Sequence, residues 1–142
     1  MQAPTFVAFG PSQPCSHLKG FTLQGPAPNK YYGIHSAPGC SGIVISDVKV
    51  TGTTKTGIDL NGAEDVTLTN IESVDSTGGF GLSMASCQRV TITNIVTGGN
   101  AWGGIGMWPA RRQYQTLATG TGAPTDIVFT DIVSNHIGEG GQ

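Results

Sequence analysis

The sequence predicts an all-β, right-handed parallel β-helix of four to five stacked coils, with a period of about 24 residues. Three observations predict it. Glycine recurs at positions 33, 57, 81 and 104. Each of these glycines opens a short run in which every second residue is apolar, and a second such run follows about ten residues later in the first three copies. The runs are too short and too rich in Val, Ile and Thr for helices, and Gly and Asn at fixed offsets supply turns between them.

Taken in chain order, a degenerate first copy lies at Leu18-Lys19-Gly20-Phe21-Thr22-Leu23. The second is Gly33-Ile34-His35-Ser36 followed by Ile43-Val44-Ile45-Ser46-Asp47-Val48. The third and fourth are Gly57-Ile58-Asp59-Leu60 with Val66-Thr67-Leu68-Thr69-Asn70-Ile71, and Gly81-Leu82-Ser83-Met84 with Val90-Thr91-Ile92-Thr93-Asn94-Ile95. The last opens at Gly104-Ile105-Gly106-Met107 and resumes at Ile127-Val128-Phe129-Thr130-Asp131-Ile132. One coil cannot bury its apolar side, but coils stacked about 4.8 Å apart can. The expected inner columns are Ile34/Ile58/Leu82/Ile105, Ile45/Leu68/Ile92/Phe129 and Val48/Ile71/Ile95/Ile132, with Asp47/Asn70/Asn94/Asp131 at a bend. Charge agrees with this register, since Asp65 stacks on Arg89, Arg89 lies under Asp126, and Lys49 stacks on Glu72. The four glycines are expected to mark equivalent corners.

Composition narrows the function. Charged residues make up 11% of 142 residues, the net charge is −2, and only seven residues are basic, with Arg111-Arg112 the one adjacent pair. General nucleic-acid binding, which needs clustered cations, is not expected. No apolar run approaches the roughly 18 residues of a membrane span, so no membrane partner is expected. No secretory signal is visible at Met1-Gln2-Ala3-Pro4-Thr5. Cys15, Cys40 and Cys87 are odd in number without metal-type spacing and read as free, semi-buried thiols. The expected organisation is one β-helix domain over 1–142, either whole or a module of a longer protein.

The repeat Gly-Ile-x-Leu followed by Val-Thr-Ile-x-Asn-Ile resembles that of the pectate-lyase-like (pectin-lyase fold) superfamily over roughly residues 15–135. The resemblance implies the fold and a tendency toward polysaccharide chemistry in an extracellular or virion-associated setting. The motif Thr56-Gly57-Ile58-Asp59 is similar to the Asp-Gly-Ile-Asp strand of polygalacturonases. Their paired Asp-Asp, Gly-His-Gly and Arg-Ile-Lys motifs are absent, and Asp75 is the only carboxylate near Ser76-Thr77-Gly78-Gly79. The several-aspartate calcium site of pectate lyases is not recognisable either. No cofactor is therefore expected, and calcium is left without an assigned site.

Candidate site residues come from the register. The second position after each marker glycine gives a column His35, Asp59, Ser83, Gly106, expected on an outward, solvated face. Asp59 falls between the other two, an order unsuited to a serine triad, whose imidazole must stand in the middle. His35 as general acid or base with Asp59 orienting it is the catalytic expectation, set against an ordinary polar strand face. Tyr31, Tyr32, Trp102, Trp108, Asn61 and Ser83 are the candidate sugar-binding residues, because flat rings beside polar groups suit sugar rings. The last coil, opened by Gly104, carries an insertion over 109–122, whose Arg111 and Arg112 are expected to hold carboxylates or sulfates of an acidic glycan. Three functions are weighed: a polysaccharide-binding protein, with or without polysaccharide degradation of the glycosidase or lyase type; a non-catalytic spike, fibre or filament module associating through uncapped coil ends or as a trimer; and an ice-binding face built on Thr67/Thr69 and Thr91/Thr93.

Overall fold

The computed structural model describes residues 5–9, 16–24, 32–108 and 125–134. Ten strands alternate between two parallel sheets. Strands β1 (Thr5–Phe9), β3 (Tyr32–Ser36), β5 (Ile58–Asn61), β7 (Phe80–Ala85) and β9 (Gly103–Trp108) form one sheet in that order. The other runs β2 (Ser16–Gln24), β4 (Ile43–Thr51), β6 (Glu64–Val74), β8 (Gln88–Gly98) and β10 (Thr125–Ser134). Each pair of successive strands completes a coil, and strands one coil apart pair side by side. The expected β-helix is the fold.

The predicted columns exist as strand register. Ile34, Ile58, Leu82 and Ile105 pair in succession, as do Leu18, Ile45, Leu68, Ile92 and Phe129. Phe21, Val48, Ile71, Ile95 and Ile132 make the third column. Together they form one continuous core, buried in the central coils and partly exposed at Ile105, Phe129 and Ile132. Strand β1 was not foreseen, because no marker glycine precedes it; it pairs with β3 and adds a rung.

The marker glycines are not corners. Gly33, Gly81 and Gly104 lie inside strands, Gly57 directly precedes one, and none has positive φ. They are small because the chain is crowded there. A Cβ on Gly81 would stand 2.7 Å from the Ser73 carbonyl and 2.8 Å from Asn100 Nδ2, and those on Gly57 and Gly104 would strike the hydroxyls of Ser73 and Ser134. Spacing alone cannot separate a glycine that needs its torsion from one that needs its missing side chain.

The corners belong to left-handed residues instead. Gly20, Asp47, Asn70, Asn94 and Asp131 form one corner with φ between 53° and 71°. Asp65, Arg89 and Asp126 form a second, and Gly52, Asp75 and Gly99 a third. Asn and Asp tolerate this conformation better than other non-glycine residues. In the first corner, Asn94 Nδ2 donates to Asn70 Oδ1 at 2.9 Å and Asn70 Nδ2 donates to Asp47 Oδ1 at 2.9 Å, the amide ladder expected from the sequence. Lys49 and Glu72 pair at 2.8 Å as expected. The Arg89 guanidinium, aligned beneath Asp126, turns to the coil below and binds Asp65 at 2.6 Å and Glu64 at 2.7 Å. Those bonds hold the Asp65 carboxyl below its ordinary range.

Candidate functional site

The register places His35, Asp59 and Ser83 at the same level of β3, β5 and β7. Asp59 leaves β5 on the face opposite Ile58 and Leu60. The expectation of a solvated column is corrected here: Asp59 is 2% exposed and Ser83 is fully buried. Strand alternation tells which way a side chain leaves the backbone and not whether other chain covers it.

Three donors take the place of water around Asp59. His35 Nδ1 lies 3.0 Å from Oδ2, Asn61 Nδ2 donates to the same oxygen at 3.0 Å, and the Ser83 hydroxyl donates to Oδ1. Burial pushes the Asp59 carboxyl up, but the hydrogen bonds from His35, Ser83 and Asn61, with the electrostatic attraction of His35, outweigh it. The net effect holds Asp59 below its ordinary range, so it is ionised near neutrality. Asn61 is fixed from behind by its backbone N–H, which donates to Ser36 Oγ at 3.0 Å. Its own Oδ1 is buried without a hydrogen-bond partner.

Tyr32 joins this cluster to a groove. Its ring stacks on the His35 imidazole, with centroids 5.0 Å apart and planes at 26°. Lys55 Nζ sits 5.1 Å from the centre of the same ring. Tyr32 and Lys55 line a cavity of about 580 Å³ together with Thr54, Thr56, Thr77, Gly78 and Trp102. The cavity lies along the turns that precede β5, β7 and β9. Its walls are close because Gly78 and Gly79 carry no side chains; a Cβ on Gly78 would meet the Thr54 carbonyl at 2.6 Å. Trp102 is 54% exposed and rests edge-on against Phe80, centroids 5.9 Å apart at 85°. Tyr32 and Trp102 stand three rungs apart, about 14 Å along the axis at about 4.8 Å per rung.

Of the expected site residues, the structure brings together His35, Asp59, Asn61 and Ser83, and places Tyr32 and Trp102 on the adjoining groove. Ser83 and Asn61 are turned inward onto Asp59. Tyr31, Arg111, Arg112 and Cys15 lie outside the described residues, as do the insertion and the Trp108 side chain. Lys55, Thr54 and Thr77 were missed. The signal was present, because two residues before the marker glycine the period aligns Tyr31, Lys55, Gly79 and Trp102. Cys40 and Cys87 are buried and form no disulfide among the described residues, and burial raises the Cys87 thiol to about 11, which makes it a poor nucleophile. Among the described residues no group of three His, Cys, Asp or Glu side chains could hold a metal ion.

A repeat of this register and a stacked-coil core define a class, and the comparisons agree with it. Residues 32–114 match the family described as a right handed beta helix region, and the chain belongs to that family. A crystal structure from Parabacteroides merdae, provisionally assigned as a glycosyl hydrolase, is similar with a TM-score of 0.54 and 16% identity, over 84% of this chain and 48% of its own. This chain therefore spans about half the length of that structure, and at such identity the likeness shows the fold alone. None of the curated proteins matches the chain.

Proposed function

We propose that the protein binds polysaccharide in the groove between Tyr32 and Trp102. The observation that carries this reading is the pairing of two aromatic rings, about 14 Å apart by rung count, across a cavity lined by threonines 54, 56 and 77. Aromatic faces give apolar contact to sugar rings at little entropic cost, while hydroxyls and backbone groups meet sugar hydroxyls. The span suits two to three sugar units running along the helix axis. Lys55 adds a positive charge that makes no ion pair with any described carboxylate, which favours acidic sugars. The structural likeness to a provisionally assigned glycosyl hydrolase is consistent with a polysaccharide-related role. Such a ligand suits an extracellular or virion-associated setting.

Titration calorimetry with acidic and neutral oligosaccharides tests this reading. Trp102→Ala is expected to weaken binding about tenfold or more, the equivalent of roughly 1.4 kcal/mol. Lys55→Met is expected to weaken acidic ligands more than neutral ones. Unaltered affinity in Trp102→Ala, or no binding by the parent protein, would remove the groove from consideration.

A second reading, an assembly module that stacks on further copies or closes as a trimer, is favoured by the exposed Val128, Ile132 and Val133 of β10. Light scattering that finds only monomer at high concentration would oppose it.

A further inference from the structure

The cluster behind Tyr32 is costly to build. A carboxylate is stripped of water, and the Asn61 acceptor beside it is buried with nothing to bond. An apolar cluster of similar volume would avoid both costs. A buried polar group left unsatisfied calls for a reason beyond packing.

Protonation at the site follows from its geometry. Ionised Asp59 can only accept hydrogen bonds, so His35 Nδ1, 3.0 Å from Oδ2, must carry the hydrogen. Neutral His35 then keeps its lone pair on Nε2. The same logic fixes the Asn61 amide, whose Nδ2 must face Asp59 and whose Oδ1 faces away. The His35 side chain is 17% exposed against 3% for Asp59, so it is the imidazole that solvent reaches. Ser83 cannot serve as nucleophile: it is fully buried and its hydroxyl is committed to Asp59.

We propose that His35 is a general base that hydrolyses an acyl ester carried by the bound glycan, with Asp59 as its positioning residue. This rests on the groove reading above. Nε2 takes a proton from water as the water oxygen bonds to the acyl carbon. Collapse of that adduct breaks the bond from the acyl carbon to the sugar oxygen, which receives the proton back from Nε2. The products are a carboxylic acid and a free sugar hydroxyl, and Asp59 stays ionised throughout. Ester hydrolysis needs one group that takes and returns a proton. Cleavage of a glycosidic bond ordinarily needs two carboxyl groups flanking it, whereas the cluster beside Tyr32 holds one, Asp59, and both its oxygens are already bonded. His35 itself meets the groove through its stacking on Tyr32, which lines it.

The test follows acid release from O-acetylated xylo-oligosaccharides and O-acetylated oligogalacturonides incubated with the whole chain, beside calorimetry on the same oligosaccharides without acetyl groups. Acetate release above the buffer rate is expected, falling at least a hundredfold in His35→Gln while binding of the deacetylated sugars holds. Asp59→Asn is expected to lower kcat and leave KM in place. Nitrogen NMR of His35 supplies a readout that needs no turnover, and it should show the hydrogen on Nδ1. Binding without acetate release would overturn the esterase and spare the groove, whereas loss of both would overturn both. Release unchanged in His35→Gln, or a hydrogen found on Nε2 at neutral pH, would equally overturn the dyad.

Discussion

Asp59 meets three hydrogen-bond donors and almost no water. Its carboxyl lies below the ordinary range in the fold, so protons favour the unfolded chain. The stability it contributes is present above the unfolded carboxylate range, about pH 4, and is lost as pH falls through that range and below it. Melting temperature followed from pH 6 to pH 2 should therefore fall less steeply at its acid end in Asp59→Asn than in the parent, from a lower starting value. Parallel curves would show that Asp59 is not ionised in the fold. At this scale the sequence was partly legible. The order His35, Asp59, Ser83 was readable and excluded a serine triad, but the burial of the column was not. Alternation of two carries no information about what lies over the outer face.

At the scale of elements, the coil depends on left-handed corners, and the Asn ladder reinforces one of them. Asn70 has φ of 53°, donates to Asp47 and accepts from Asn94. Asn70→Ala loses both side-chain bonds and puts a Cβ residue that lacks local hydrogen bonding into the left-handed region. About 1–2 kcal/mol of destabilisation is expected in urea unfolding. Asn70→Gly loses the same bonds but relaxes the torsion, and should cost less. An equal loss in the two variants would show that the torsion is irrelevant. The ladder was legible because its residues are polar and recur at one offset. The role of the marker glycines was not, because close packing against Ser73 and Ser134 involves strands of the other sheet.

The whole molecule is a stack in which each rung contacts its neighbours, so stability should depend on where in the stack a side chain sits. Leu68 is fully buried in the middle rung, whereas Ile132 in the last is 40% exposed. Leu68→Ala should cost about 2–5 kcal/mol and Ile132→Ala less than half of that, measured by denaturant midpoint. Comparable losses would contradict a stack built on nearest neighbours. The period was legible across the molecule because four copies repeat it, and Lys55 and Thr77 escaped notice because turns vary in residue type where strands do not.

The groove also has a rival at this scale. The Asn ladder borders a second concavity of about 390 Å³, lined in part by Phe21, Asp47, Lys49, Asn70 and Glu72. It has a single aromatic ring and an ion pair already closed between Lys49 and Glu72. A crystal structure with a bound acidic oligosaccharide separates the two most directly. Sugar rings seated on Tyr32 and Trp102, with a carboxylate at Lys55, are the predicted result; density along the Asn ladder with the Tyr32–Trp102 groove empty would contradict it.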